Sequence, residues 1–222
     1  MGMKILNYAG VVLMGLATAC SSSTEKSAHK DSVSTQTEQV KDSTAADPLE
    51  DTTMRADELA ERDEYALIVP GKRIGQISLG QDMKEVFDLL GTPDDGDAAM
   101  GSAVGVWIKS SMTIYSHYRD STMVVKAVKQ ISAASDTYYT AEKIATGMSL
   151  AKIKAAYPAL KESATYVNLK TNDKLQVFDD LEGGIAFDIQ NNKCTMITVH
   201  PKGKPVNAAY LDLHPGWKRV EQ

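Results

Sequence analysis

The residues best suited to covalent chemistry are Cys194 and three histidines, His117, His200 and His214. A cysteine thiolate beside a histidine base is an activated nucleophile in many hydrolases. Cys194, however, opens the strand-like run Cys194–Val199, where a small apolar side chain packs readily into a core. We therefore expect Cys194 to be a buried structural residue, and we predict no catalytic residue in this chain.

Metal and nucleotide sites are not indicated either. His200 and His214 stand fourteen residues apart in turn-like sequence, without cysteine or acidic partners at zinc-site spacing. The acidic loops Asp94–Asp97 and Asp179–Gly184 lack the spacing and the final glutamate of a calcium-binding EF-hand. Gly-x-Ser-x-Gly, His-Glu-x-x-His and a phosphate-binding glycine loop are missing from the sequence. We expect no metal, no cofactor and no enzymatic activity, and we interpret the acidic loops as solvated turns.

The first nineteen residues are typical of a secretory signal. Lys4 supplies a positive charge, and a short apolar stretch is centred on Val11–Leu16. This stretch is shorter than the roughly 20 residues of a membrane-spanning helix. We predict a signal peptide over residues 1–19, with cleavage before Cys20. An ordinary cleaved signal followed by a coincidental cysteine is the alternative.

The residues around that cleavage site add a membrane anchor to the prediction. The run Leu16-Ala17-Thr18-Ala19-Cys20 resembles the bacterial lipobox. The resemblance implies that Cys20 is diacylated on its thiol, becomes the first residue of the mature protein and is acylated on its amine. Three acyl chains would hold the chain at a membrane essentially permanently. Ser21, in place of aspartate, implies sorting to the outer membrane, where we expect the protein on the periplasmic side.

The charge is distributed unevenly along the chain. The 222 residues are 43% hydrophobic with a net charge of −5, which gives no electrostatic reason to expect a nucleic-acid partner. Residues 21–63 contain 5 basic and 11 acidic residues and have no glycine or aromatic residue. Such a segment cannot bury enough apolar surface to fold, so we expect residues 20–63 to form a disordered tether. Residues 64–222 contain 18 basic and 18 acidic residues and are neutral overall.

Two segments of the body share one pattern. Gly80 is followed by Asp82 and an apolar period-3.6 stretch, and Gly147 is followed by Ser149 and a similar stretch. Asp and Ser are favoured N-cap residues, so each segment predicts the start of a short helix. We also expect a short helix over Met54–Ala66, leading into the body.

Strand-like runs separated by turn formers follow each predicted helix. The predicted strands are Val104–Ile108, Met112–Tyr118, Met123–Ile131, Thr165–Leu169, Leu175–Phe178, Ile185–Ile189 and Cys194–Val199. We therefore predict an α+β fold of two tandem helix-plus-antiparallel-sheet repeats, each a two-layer sandwich, at residues 64–135 and 136–203. Residues 204–222 are predicted to form a C-terminal tail.

The first helix-and-strand pattern carries a family resemblance. The run Gly80–Pro93 followed by Val106-Trp107-Ile108 resembles the small outer-membrane lipoproteins of the SmpA/OmlA (BamE) type. The tandem arrangement is similar to the β-lactamase inhibitory protein fold. These resemblances imply a noncatalytic interaction module with no catalytic residues to transfer. The tandem arrangement and the tether depart from the single-domain lipoprotein family.

Together these features predict a noncatalytic, lipid-anchored envelope lipoprotein that acts as a protein-interaction or scaffold module. Its expected partners are the membrane, through acylated Cys20, and an envelope protein. Trp107, Tyr138, Tyr139 and Trp217 are the candidate contact surface, with burial in the core as the alternative for each. Two other functions stay open: a periplasmic small-ligand binding protein or inhibitor, and a cell-wall hydrolase that uses Cys194 or a histidine.

Overall fold

The computed structural model of the protein describes residues 64–220. The predictions for the signal peptide, Cys20 and the tether lie outside the described residues, as does most of the helix predicted over Met54–Ala66, of which residues 64–66 are helical. Two further helices are α1 (Met83–Leu90) and α2 (Leu150–Ala156). The strands are β1 (Leu67–Val69), β2 (Arg73–Ile74), β3 (Ile77–Ser78), β4 (Asp95–Ala99), β5 (Ser102–Trp107), β6 (Met112–Tyr118), β7 (Lys126–Ala133), β8 (Tyr139–Thr140), β9 (Lys161–Asn168), β10 (Lys174–Asp180), β11 (Ile185–Gln190), β12 (Lys193–Val199) and β13 (Trp217–Val220).

Nine of these strands form one antiparallel sheet. Their order across the sheet is β13-β9-β10-β11-β12-β7-β6-β5-β4. Strands β7 and β12 join the two halves by pairing Ile131 with Val199 and Ala133 with Ile197. A smaller sheet has the order β3-β2-β1-β8, and its β1–β8 pair is parallel.

The predicted fold class is wrong. Strands hold 44% of the described residues and helices 11%, and the structure is not a helix-plus-sheet repeat. The helices contain only eight and seven residues, so neither is long enough to cover the sheet as a layer of its own. The smaller sheet contributes Ile68, Ile74 and Ile77 to the same core cluster as Val86 of α1 and Ile153 of α2. The strands predicted for two separate units belong to one continuous sheet.

The local predictions for the helix starts are confirmed. The Asp82 carboxylate accepts the Lys84 amide at 3.0 Å, and the Ser149 hydroxyl accepts the Lys152 amide at 3.4 Å. Each cap follows a glycine in the left-handed region, with φ of 81° at Gly80 and 82° at Gly147. Both signals act within a few residues, and the sequence therefore specifies them without reference to the rest of the fold.

The large sheet has a buried face on each side. In β11, Ile185, Phe187 and Ile189 enter the main core cluster, while Ala186 belongs to a second cluster. Because neighbouring side chains of a strand point to opposite faces, the second cluster lies on the opposite side of the sheet. That opposite side is where Asp188 of the same strand contacts His214.

The chain from residue 200 to residue 216, which we call the C-terminal segment, packs on this second face. Val206 is 5% exposed and belongs to the second core cluster. The segment leads into β13, which pairs with β9 through Lys218 opposite Val167. Most of the residues assigned to a tail in the sequence thus extend the sheet and cover one of its faces.

Candidate functional site

A groove of about 830 Å³ lies where two hairpin ends meet the C-terminal segment. The two ends are the β4–β5 turn and the β6–β7 loop. Residues lining the groove include Met100, Tyr115, His117, Met123, Lys129 and Lys204. We call it the methionine groove.

Both methionines stand in backbone conformations that do not suit them. Met100 has φ of 50° and Met123 has φ of 55°, in the left-handed region. For residues other than glycine and asparagine this conformation costs about 1–2 kcal/mol. Their side chains are 77% and 67% exposed, so burial in the core does not offset the cost. Burial in the core therefore does not explain methionine at either position.

The Met100 turn makes the mismatch clearest. Ala99 pairs with Ser102, which leaves Met100 and Gly101 as a two-residue hairpin loop. Both loop residues have positive φ, 50° and 79°. Asn-Gly is the preferred sequence in a hairpin turn that needs positive φ at both positions. Glycine is present at the second position, but an exposed methionine occupies the first.

A chain of hydrogen bonds holds the ring of His117 at the groove. The Ser102 hydroxyl lies 3.0 Å from the Tyr115 hydroxyl and 3.0 Å from Nδ1 of His117. The amide of Tyr210, in the C-terminal segment, donates to the same Tyr115 oxygen at 3.3 Å. Ser102 is 1% exposed and Tyr115 is 8% exposed. The hydrogen bonds between them are therefore largely shielded from water, whereas the ring of His117 is exposed.

The hydrogen-bond partners favour one direction for this chain. The Tyr115 oxygen already accepts the Tyr210 amide, so its own proton has a protein acceptor when it donates to Ser102. The Ser102 proton then goes to Nδ1 of His117. In the opposite direction the Tyr115 hydroxyl proton has no protein acceptor in the described residues and has to turn to water in the groove. In the favoured direction neutral His117 accepts at Nδ1 and carries its proton on Nε2.

A serine that donates to a histidine is also the start of a nucleophile–base pair. Ser102 cannot work in that way here, because its hydroxyl is buried under the hairpin and engaged by Tyr115. A substrate carbonyl would have no path to the Ser102 oxygen. The serine positions the imidazole and is not itself exposed to a ligand.

Positive charge dominates the charged lining of the groove. Arg119, Lys129 and Lys204 line it together with one carboxylate, that of Asp120. Thr122 donates to the Asp120 carboxylate through its hydroxyl and, at 2.9 Å, through its amide. These hydrogen bonds lower the pKa of Asp120. Within residues 64–220, neither lysine has a carboxylate partner within 4.0 Å.

The C-terminal wall of the groove is fastened by hydrogen bonds from the sheet. Gln130 donates from Nε2 to the Val206 carbonyl at 2.6 Å, and the Val206 amide donates to Asp179 at 3.1 Å. His214 contacts Asp188 at 2.8 Å. These residues hold the segment at a fixed distance from the β6–β7 hairpin.

His200 forms the most buried of these attachments. It is 0% exposed, and its Nε2 lies 3.0 Å from Oδ1 of Asp179. Its Nδ1 lies 3.1 Å from the carbonyl of Pro201, which can only accept, so Nδ1 carries a proton. Despite this short distance, Nε2 and Oδ1 do not form a hydrogen bond, and neither has a hydrogen-bond partner elsewhere in the described part of the chain. We therefore describe His200 and Asp179 as a close buried pair that stabilises the wall.

The four aromatic residues of the predicted contact surface are not brought together at the methionine groove. Trp107 is 3% exposed, and its indole donates to the Gly91 carbonyl at 3.0 Å, so it lies in the core with no ring face open to a partner. Tyr138 and Tyr139 are half-buried in a second groove of about 860 Å³, which also contains Tyr65. Trp217 is half-buried on the edge strand β13, beside the second core cluster.

The other chemical candidates have structural positions. Cys194 is 2% exposed, and burial raises the pKa of its thiol to about 12, so the reactive thiolate is not available near neutral pH. Among residues 64–220 no group of three or more His, Cys, Asp or Glu side chains could hold a metal ion. No helix in that same range is long and apolar enough to span a membrane.

Sequence reasoning missed Ser102, Tyr115 and the two methionines. Tyr115 and His117 are two residues apart in β6, which places them on one face of the strand, and Ser102 joins them through the β5–β6 register. No protein-family model, curated protein or solved structure matches this chain. The site therefore has to be interpreted from its own geometry.

Proposed function

We propose that this chain is a noncatalytic envelope lipoprotein, anchored by acylated Cys20 to the periplasmic side of the outer membrane, whose body binds a partner protein. The binding site in this proposal is the methionine groove. One observation carries it: two exposed methionines rim one groove from left-handed backbone positions. Strain that folding does not require is a feature of functional sites.

Methionine suits this function because its side chain is unbranched, polarizable and adaptable. Such side chains are over-represented on protein surfaces that bind partners. One wall of the groove is also held in place, since the C-terminal segment is fastened to the sheet through Gln130 and Asp179. A partner would meet a preformed surface and would not need to order it first.

Binding without catalysis is supported by the state of the candidate nucleophiles. The Ser102 hydroxyl is buried and fully engaged, and the Cys194 thiol is buried in the main core. Neither residue lies where a substrate could reach it. The hydrolase alternative therefore loses Cys194 as its nucleophile and rests on the histidines alone.

Site-specific photocrosslinking tests this proposal. A photoreactive residue is placed at position 100 or 123 in membrane-anchored protein, and at position 108 or 169 as a control. Ile108 and Leu169 are matched controls, because they are 70% and 69% exposed and lie outside the groove. The proposal expects one discrete protein adduct from positions 100 and 123 and none from the controls. Equal adduct yields at all four positions would contradict it.

A second candidate function is small-ligand binding in the tyrosine-lined groove. Tyr65, Tyr138 and Tyr139 line a space of about 860 Å³, within the size range of small-molecule sites. The test is a search for compounds that quench tyrosine fluorescence in wild-type protein but not in Tyr138→Ala. Ligands found in this way would favour the small-ligand function over the partner-binding function.

A further inference from the structure

We propose that the segment bound in the methionine groove is an acidic peptide, with a carboxylate beside His117 and Lys129 and apolar side chains against Met100 and Met123. This inference rests on the proposed function and adds the chemistry of the partner.

The first argument is the donor character of His117. Nδ1 is committed to Ser102, and no hydrogen bond within residues 64–220 uses Nε2. In the favoured direction of the hydrogen-bond chain, Nε2 carries the proton of the neutral ring, and it carries one in the imidazolium form as well. With that assignment the ring offers the groove a donor in both protonation states. A group that recognises it has to be an acceptor, and a carboxylate is the strongest acceptor in proteins.

The second argument is unpaired positive charge. Lys129 is half-buried, Lys204 is exposed, and neither forms a salt bridge within 4.0 Å in the described part of the chain. Asp120, the one acidic residue in the lining, is occupied by Thr122. Residues 64–222 carry no net charge, so the positive lining is a local feature and not a general surplus. An anion in the groove would gain attraction from both lysines.

The third argument is the set of apolar side chains beside these donors. Met100 and Met123 form the rims, and Pro201, Pro205 and Ala208 also line the groove. A small inorganic anion would leave these groups in water. A ligand that uses the whole groove combines an anionic group with apolar ones.

The exposed rims favour a peptide over a small molecule. Met100 and Met123 are 77% and 67% exposed. Small-molecule sites enclose 70–90% of their ligand, which rims this open do not achieve. A peptide that continues past both rims covers them with neighbouring side chains.

The probe is the peptide acetyl-Leu-Glu-Leu-Glu-Leu-amide, compared with the same peptide carrying glutamine for glutamate. Binding is followed by NMR through the methyl signals of Met100 and Met123 and the ring signals of His117. We expect the acidic peptide to shift all three sets of signals and to bind about tenfold more tightly than the glutamine peptide. Decanoate serves as a small amphipathic anion and is expected to bind more weakly than the acidic peptide.

Three variants locate the charge. Lys129→Gln and His117→Gln are expected to lower the affinity for the acidic peptide several-fold and to leave the glutamine peptide unaffected. Lys161→Gln is the matched control, because Lys161 is exposed on β9, on the far side of the sheet order from β6. Equal loss in Lys161→Gln would mean a general charge effect and would overturn the inference.

The outcomes separate the inference from the proposed function. If both peptides shift the methionine signals with equal affinity, the acidic specificity is wrong and the groove remains a binding site. If decanoate binds more tightly than the acidic peptide, the peptide class is wrong. If no probe moves the methionine signals, and crosslinking from positions 100 and 123 also fails, the proposed function is wrong as well.

Discussion

The Ser102 hydroxyl, which is 1% exposed, is hydrogen-bonded to Nδ1 of His117 across 3.0 Å, and that ring lies on the groove surface. The same hydroxyl is hydrogen-bonded to Tyr115, which accepts from the Tyr210 amide of the C-terminal segment. The orientation of one surface imidazole is thus connected to both walls of the groove. Because of this connection, the side chains of the groove have a fixed arrangement.

Removal of the central hydroxyl should therefore destabilise the protein. Ser102→Ala leaves the Tyr115 hydroxyl and Nδ1 of His117 without their shared partner in a buried site. We expect the free energy of unfolding to fall by about 2 kcal/mol, measured by urea denaturation. Ser121→Ala is the control, because Ser121 is exposed, and it should change stability by less than about 0.5 kcal/mol. A Ser102→Ala variant as stable as Ser121→Ala would show that these hydrogen bonds do not stabilise the protein.

Relief of the left-handed strain should have the opposite effect. Met100→Asn places a residue that tolerates positive φ at the first position of the hairpin turn. We expect the free energy of unfolding to rise by about 1 kcal/mol. Ile108→Asn, at a similarly exposed position without positive φ, should be close to neutral. A destabilised Met100→Asn would mean that Met100 makes a stabilising contact.

The buried pair in the wall of the groove gives a third prediction. His200→Ala leaves Asp179, which is 6% exposed, without the imidazole that packs 3.0 Å from it. We expect a loss of about 3 kcal/mol, and a combined loss smaller than the sum of the single losses when Asp179→Asn is added, because the two side chains are in contact. Hydrogen exchange at the Val206 amide should accelerate in the single variant, since that amide donates to Asp179. Additive losses in the double variant would rule out coupling between the two side chains.

The thiol of Cys194 should make stability depend on alkaline pH. Its pKa rises from an ordinary 9.0 to about 12 in the folded protein, because burial disfavours the thiolate. The unfolded chain therefore releases this proton first, and the contribution is complete below pH 9 and is lost between pH 9 and 12. We expect the stability difference between the wild type and Cys194→Ala to shrink over that range. A difference that does not change with pH would mean that the thiol is not desolvated.

The membrane anchor has its own test. Cys20→Ser removes the thiol that the lipobox resemblance marks for acylation. The variant should appear in the soluble fraction, whereas the wild type should sediment with membranes and partition into detergent. Unchanged sedimentation of the variant would contradict the anchor and leave the groove proposal unaffected.

The parts of the fold that were predictable from the sequence depend on neighbours in the chain. The caps at Asp82 and Ser149 bond to amides two and three residues away, and both were found. The sheet was misassigned because the pairing of β7 with β12 joins residues more than sixty apart, for which the sequence has no local signal. The C-terminal segment looked like a tail because its attachments, such as Gln130 to Val206, are equally distant.

The candidate site was harder to predict for the same reason. Met100 followed by Gly101 looks like an ordinary turn sequence. The positive φ of Met100 is evident only when the register of β4 and β5 is known. Trp107 was expected at a contact surface, but its indole is bonded to the Gly91 carbonyl in the core. Burial and register, which set these positions, are properties of the whole sheet.

The most direct test of the groove as the binding site measures both the stability and the crosslinking of one double variant. In a Met100→Asn/Met123→Asn variant, both strained methionines are replaced by residues that tolerate their backbone. Crosslinking to the partner is then followed from a photoreactive residue at position 208, a groove residue. The account predicts that the double variant unfolds at higher urea concentration than the wild type and loses the partner adduct. A variant that keeps the full adduct yield would contradict the account, whatever its stability.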